Sequence, residues 1–258
     1  MPRDWTDAER LAAMYLYCQT PFGRLHARNP EIIALAHGLG RTPSSLAMKL
    51  TNFASLDPEQ QRRGIKGLRG ASEGDRAIWL EFHVDWSRMV ERSARAYESA
   101  MDHTVDPTPP LVSERSVPGP WGGVATTVER TVAARRGQDW FRGTLIAGFE
   151  GSCCVSGCNR ETMLVASHIV PWAEDSALRL NPHNGLLLSA IHDRAFENGD
   201  LAIDDDYRVL IAAPLRRSAN EFLQQALVRF HGQQLRMPQR FAPDPALLRR
   251  HREARFLG

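Results

Sequence analysis

The sequence predicts an α+β protein with a helical amino-terminal domain followed by a small strand–loop–strand–helix unit. Three observations indicate this. Apolar residues recur at helical spacing through much of residues 7–100, a segment rich in proline and glycine occupies 102–123, and two short apolar runs precede a polar helix between 164 and 197. We therefore expect a helical domain over 1–101, a linker over 102–123 and a second domain over 124–258.

Length and composition bound the class of protein. The chain has 258 residues and a formal net charge of only +2, so any site for nucleic acid must come from local clusters of charge. The polar start of the sequence does not resemble a signal peptide, and no apolar run approaches the length of a membrane span. With four cysteines in such a chain, free thiols and a cytoplasmic location are expected, without a membrane partner.

Two capped helices follow each other in the first domain. Asn29 precedes Pro30, and Thr42 precedes Pro43, which are favoured cap and first-turn residues. A helix, a glycine turn and a second capped helix form either a helix-turn-helix that binds DNA or an ordinary helical hairpin. In the first interpretation, Arg41 and Lys49 face DNA.

A basic segment opens the second domain. Arg135, Arg136 and Arg142 lie among apolar residues at the spacing of an amphipathic helix. These arginines are candidates for contacts with backbone phosphates, although a solvated charged face has the same pattern.

The strand–loop–strand–helix unit carries residues that can perform chemistry. His168 ends the first apolar strand, Asn184 opens the second, and Asp193 and Glu197 lie four residues apart on the helix. That spacing places both carboxylates on one helical face. A divalent metal beside an imidazole suffices to hydrolyse a phosphodiester, since the metal neutralises charge and the imidazole takes a proton from water.

This stretch resembles the HNH endonuclease family, and in particular its restriction-type branch. The resemblance rests on Ser167-His168-Ile-Val-Pro171-Trp172, Asn184-Gly-Leu-Leu-Leu188 and His192-Asp193-Arg-Ala-Phe196-Glu197, and it extends over roughly 128–258. It implies a ββα-metal fold in which His168 is the general base and Asn184 braces the loop that orients it. Arg179, in that loop, is a candidate for contact with the scissile phosphate.

The resemblance also implies a metal held by the helix. Asp193 and Glu197 occupy the ligand positions, and carboxylates there favour Mg²⁺ or Mn²⁺. His192 is a further candidate ligand, although it points about 100° away from Asp193 around the helix. Relatives often place Asp, Glu or His just before the base, where this chain has Ser167. That departure puts metal affinity in doubt more than the type of reaction.

The clustered cysteines invite comparison with a structural zinc site. Cys153, Cys154 and Cys158 could supply one half of such a site, which needs four ligands in two close pairs. No cysteine follows Cys158, and the sequence therefore disfavours structural zinc.

Together these features predict a metal-dependent DNA endonuclease that acts in restriction or phage defence. Cutting both strands with one site per chain would favour a homodimer. Two alternatives stay open: a DNA-binding regulatory module with a degenerate nuclease domain, and a nuclease specific for RNA or modified DNA.

Overall fold

The computed structural model describes residues 3–64, 70–102 and 124–258, and of 124–134 only the backbone. The predicted linker over 102–123 lies, except for Asp102, outside this described part. The described helices and strands follow the predicted order, with helices first and a small ribbon unit later. They are α1 (Asp7–Gln19), α2 (Pro30–Gly38), α3 (Pro43–Leu56), α4 (Pro58–Arg62), α5 (Glu73–Val84), α6 (Trp86–Asp102), α7 (Val124–Gly148), β1 (Leu164–His168), β2 (Gly185–Ser189), α8 (Ala190–Glu197), β3 (Leu201–Ile203), β4 (Val209–Ile211), α9 (Ala213–Arg216), α10 (Glu221–Ala226) and α11 (Pro245–Arg255).

The predicted helix caps are confirmed. The side chain of Asn29 accepts a hydrogen bond from the backbone N–H of Glu31, and Pro30 takes the first helical position of α2. The hydroxyl of Thr42 does the same for Ser45 at the start of α3. Each cap satisfies an N–H group that has no partner within the helix, which is why α2 and α3 begin where they do.

The ribbon β1–β2 lies between two helices. The strands pair antiparallel, with Ser167 opposite Leu186 and His168 opposite Gly185. Both α7 and α8 contact the two strands, and every residue of β2 is buried. Since successive side chains of a strand point to opposite faces, neighbouring residues of β1 reach different helices.

A second ribbon and the last helix close the other side of α8. Strands β3 and β4 form the predicted hairpin around the acidic turn 204–206, and α11 packs on β3. Gly199 ends α8 with a φ of 79°, and a Cβ there would lie 1.9 Å from the carbonyl oxygen of Arg255. Only glycine fits both the left-handed backbone and this close approach of the chain end.

The helical part and the ribbon part share one core. Helix α1 contacts α7 as well as α6, and Gln19 donates to the carbonyl oxygen of Trp140 and to the hydroxyl of Thr144. From the far end of the chain, the buried guanidinium of Arg240 donates to the carbonyl oxygens of Tyr17 and Thr20. The division into domains at 101 and 124 stays a prediction, and these contacts hold its two parts together.

Candidate functional site

His168 stands at the end of β1, on the face of the ribbon that α7 covers. Its ring stacks on Phe141 of α7, with centroids 4.0 Å apart and planes 6° apart. The ring of Trp172 meets it edge-on at 5.5 Å. Gly185, across the ribbon, permits this packing, because a Cβ there would come within 2.8 Å of the Phe141 ring. Two aromatic rings and a glycine therefore fix the orientation of the imidazole.

The hydrogen bond of His168 selects its basic nitrogen. The Nε2 atom lies 2.9 Å from the carbonyl oxygen of Arg179. A carbonyl oxygen only accepts, so Nε2 carries the hydrogen and the neutral ring has its free lone pair on Nδ1. Burial lowers the pKa of His168 below its usual 6.5, opposed by the hydrogen bond to Arg179. The imidazole is thus neutral and able to take a proton at neutral pH.

Asn184 ties together the loop between β1 and β2. Its Oδ1 atom accepts from the N–H of Val170 at 2.8 Å, and its Nδ2 atom donates to the carbonyl oxygens of Val170 at 3.0 Å and Leu178 at 3.2 Å. The side chain is 1% exposed. It links the start of the loop at Val170 to Leu178, the residue just before Arg179, whose carbonyl contacts His168.

Arg179 has two separate contacts in this loop. Its carbonyl oxygen accepts from His168, while its Nε donates to the carbonyl oxygen of Trp172 at 2.9 Å and its guanidinium lies over the Trp172 ring at 5.4 Å. The side chain is half-buried. The arginine is therefore held by its own loop, with its backbone on the imidazole and its cation over Trp172.

Asp193 lies on the opposite face of the ribbon from His168. Its carboxylate lies near enough to the hydroxyl of Ser167, the residue just before His168, for that hydroxyl to lower its pKa. Burial raises the pKa of Asp193, as does the nearby charge of Glu197, while Ser167 and Arg194 oppose the shift. Glu197 is exposed and forms an ion pair with Arg194 at 3.1 Å. The structure thus brings Asp193 and Glu197 to one side of α8, with Asp193 near Ser167.

His192 is placed apart from that carboxylate pair. It is 2% exposed, and its Nδ1 atom lies 2.6 Å from the hydroxyl of Ser189 and 3.8 Å from the sulfur of Cys153. Burial raises the pKa of Cys153, but hydrogen bonds from His192 and Ser156 outweigh it and lower that pKa to about 6. The side chain points into the core, so the structure does not bring His192 together with Asp193 as a ligand.

The cysteines form no disulfide in the described part of the chain. Around Cys153 lie one imidazole and the serines at 156 and 189. Structural zinc is held by four thiolate or imidazole ligands. Among the described residues, this cluster supplies one thiol, that of Cys153, and one imidazole, that of His192. Ser156 lies beside the thiol and Ser189 beside the imidazole.

The arginines of α7 have unlike surroundings. Arg142 donates to the carbonyl oxygens of Leu164 and Glu161, so it anchors the start of β1 to the helix. Arg136 is exposed and forms a long ion pair with Glu98 at 3.4 Å. Arg135 is exposed, and no ion pair involves it within the described residues. Arg135 and Arg136 are available to a nucleic acid, whereas Arg142 is used within the fold.

The helix-turn-helix interpretation placed Arg41 and Lys49 outward, but the structure turns both inward. Lys49 is 5% exposed, and its Nζ atom lies 2.7 and 2.8 Å from the two carboxylate oxygens of Asp75. Arg41 bonds to Glu9 and holds the pKa of that carboxyl down at about 2 against the effect of burial. Buried carboxylates need such partners, so both cations are used within the fold.

Two aromatic residues at the site were not singled out by the sequence analysis as functional. Phe141 reads as one apolar position of an amphipathic helix, and only packing shows that it stacks on His168. Trp172 belongs to the quoted motif, and its signal was a large aromatic residue in a short polar loop. Both fix the imidazole without contributing a titratable group.

The comparison with protein families agrees with this geometry. Residues 153–204 match the HNH endonuclease family, and that segment contains β1, the loop braced by Asn184, β2 and α8. A comparison with curated proteins gives no match. These residues therefore form an HNH endonuclease domain, and this domain supports a nuclease, a hydrolase of phosphodiester bonds.

The site also contains residues that could hold a metal ion. HNH nucleases generally use a divalent metal ion. Among the described residues, no three His, Cys, Asp or Glu side chains form a group that could hold one. The half-buried carboxylate of Asp193, with the hydroxyl of Ser167 beside it, fits a cation such as Mg²⁺, which binds through one or two carboxylates and completes its shell with water and phosphate. Across the described part of the chain, no helix is both long and apolar enough to span a bilayer.

Proposed function

We propose that this protein is a divalent-metal-dependent DNA endonuclease in which His168 is the general base. The observation that carries the proposal is the hydrogen bond between Nε2 of His168 and the carbonyl oxygen of Arg179. It leaves Nδ1 as the proton acceptor of a neutral imidazole, on the ribbon that matches the nuclease family. A restriction or phage-defence role is proposed on the resemblance of the motif alone, and a homodimer because one site per chain would need two chains to cut both strands.

The residues divide the reaction between the two faces of the ribbon. Nδ1 of His168 takes a proton from a water molecule, whose oxygen attacks the phosphorus while the bond to the 3′ oxygen breaks and that oxygen takes a proton from solvent. The products would carry a 5′-phosphate and a 3′-hydroxyl. Arg179 binds a phosphate beside the imidazole, and the exposed Arg135 and Arg136 bind the flanking backbone.

Asp193 would hold the metal, with Glu197 as a second carboxylate on the same face. Mg²⁺ or Mn²⁺ is the cation we expect there, and when bound it would neutralise charge on the phosphate and the leaving oxygen. His168 and the Ser167–Asp193 pair point to opposite faces at the end of one strand. An in-line displacement places the attacking and leaving oxygens on opposite sides of the phosphorus, so the base and the metal would act on different oxygens of the phosphodiester.

Cleavage of supercoiled plasmid at low salt tests the proposal. Wild type, His168→Ala and His37→Ala would be compared in EDTA, Mg²⁺ and Mn²⁺, with His37 as the matched control because it is an exposed histidine on α2. We expect metal-dependent nicking by wild type and by His37→Ala, and a loss of about 10²-fold or more in His168→Ala. Equal activity in all three proteins would show that His168 is not the base.

The Asp193→Asn variant tests the metal site separately. Asparagine keeps an acceptor for the hydroxyl of Ser167 but removes the charge that binds a cation. The variant should need a much higher Mg²⁺ concentration for half-maximal cleavage than wild type. An unchanged Mg²⁺ dependence would exclude Asp193 as a ligand.

A further inference from the structure

A groove opens directly beside the candidate site. It has a volume of about 710 Å³, within the range of about 300–1,000 Å³ that is typical of pockets for small molecules. It lies between the turn that joins α5 to α6 and the loop between β1 and β2. The residues that line it include Val84, Asp85, Ser87, Trp172, Ala177 and Arg179.

The groove is continuous with the catalytic residues. Trp172 forms part of its wall and also contacts the ring of His168 edge-on at 5.5 Å. Arg179 forms another part, and its carbonyl oxygen accepts from His168. A molecule in the groove would therefore touch the same two residues that orient the base, so its occupant belongs to the substrate strand at the point of cleavage.

Apart from Arg179, which we assign to the phosphate, the lining favours a nucleobase. Val84 is 87% exposed, and with Trp172 and Ala177 it gives an apolar wall against which a flat ring can pack. The carboxylate of Asp85 would repel a phosphate, but it accepts hydrogen bonds from the amino group of a base. The hydroxyl of Ser87 is buried and has no hydrogen-bond partner in the described part of the chain.

We propose that this groove receives one nucleotide displaced from the duplex beside the scissile phosphate, with its base against Trp172 and its amino edge toward Asp85. This inference rests on the proposed function and deepens it, because it assigns the enzyme a substrate that is locally unpaired. Displacing a base from a duplex costs free energy, and the cost is smallest where the base is already mismatched. The proposal therefore requires a preference for DNA with a mismatch at one position.

The test moves a single mismatch stepwise along a duplex that contains a mapped cut position. Affinity is measured by fluorescence anisotropy with the His168→Ala protein in Mg²⁺, and cleavage is measured with His168 intact. The variants Val84→Trp and Ala177→Trp fill the groove from exposed positions. Leu80→Trp is the matched control, since Leu80 is 64% exposed on the same helix as Val84 and does not line the groove.

We expect binding and cleavage to improve by about tenfold or more when the mismatch occupies one position beside the cut. This gain should disappear in Val84→Trp and Ala177→Trp and persist in Leu80→Trp. If the protein cuts DNA but binds and cleaves mismatched and fully paired DNA equally, the groove does not receive a displaced nucleotide, although the proposed function stands. The same holds if the groove-filled variants keep the improvement at the mismatch. A protein that neither binds nor cuts any duplex would refute the proposed function as well.

Discussion

Replacement of Asn184 by alanine tests how the fold supports the site. The amide side chain forms three hydrogen bonds, all to backbone groups of the loop between β1 and β2: the N–H and carbonyl of Val170, and the carbonyl of Leu178. Asn184 is 1% exposed, so these groups would not readily find water as a substitute. The variant leaves three backbone groups without their partner.

At about 1 kcal/mol of net stability for each hydrogen bond, Asn184→Ala should cost about 3 kcal/mol. For a chain of this size, that corresponds to a fall of roughly 6–12 °C in the melting temperature. Cleavage at a temperature where the variant is folded should fall by about 10²-fold, because a loop displaced by about 1 Å no longer holds Arg179 and His168 in place. Circular dichroism on heating and plasmid nicking measure the two effects.

Asn181→Ala is the matched control, since that half-buried asparagine of the same loop accepts one hydrogen bond, from the N–H of His183 at 3.0 Å. It should cost about 1 kcal/mol, as the loss of a cap does. If Asn184→Ala were no less stable than this control, or if it lost stability but cleaved at the wild-type rate, the bracing role would be refuted.

Three further predictions concern charged groups. Cleavage by wild type should stay high below pH 6.5 and decline only as the pH falls through the lowered pKa of His168, because the base must be neutral; a pH profile of kcat/KM with its midpoint above 6.5 would contradict this. Lys49→Met should lower the free energy of unfolding, measured in urea, by about 3–5 kcal/mol, because it leaves the buried Asp75 without its closest cation. The DNA affinity of the folded variant should not change. Weaker DNA binding with full stability would instead support the helix-turn-helix interpretation. Burial raises the pKa of Asp57 from 3.8 to about 7, so the folded state holds a proton that the unfolded state releases. That stabilisation is complete below about pH 3.8 and is lost as the pH rises through about 7. Urea unfolding at a series of pH values should show wild type losing stability relative to Asp57→Asn over this range, and parallel curves would contradict it.

Local patterns predicted much of the architecture. Asn29 and Thr42 mark helix starts because their side chains can satisfy backbone N–H groups that every helix leaves free, and this chemistry needs no distant partner. The apolar run that ends at His168 and the one that begins after Asn184 indicate two strands for a similar reason, since their periodicity is local. The acidic turn at 204–206 between two apolar runs likewise predicts the hairpin that is observed.

Side-chain direction was harder to predict for charged residues. The spacing of Arg41 and Lys49 is compatible with a DNA-binding face, whereas Glu9 and Asp75, which are distant in sequence, bind them inside the helical part. An arginine or lysine on a helix has the same local signature whether its partner is a phosphate or a buried carboxylate. Only the packing of α1 and α5 against α3 decides between them.

The sequence by itself determined the kind of protein, because the order and type of residues from 153 to 204 carry the nuclease motif. Tertiary structure decided how the site is held. It stacked His168 on Phe141, gave its Nε2 the carbonyl of Arg179, turned His192 into the core and left Asp193 beside Ser167. The physical reason is that a motif specifies which groups are available, whereas their orientation, protonation and burial depend on contacts between segments far apart in the chain.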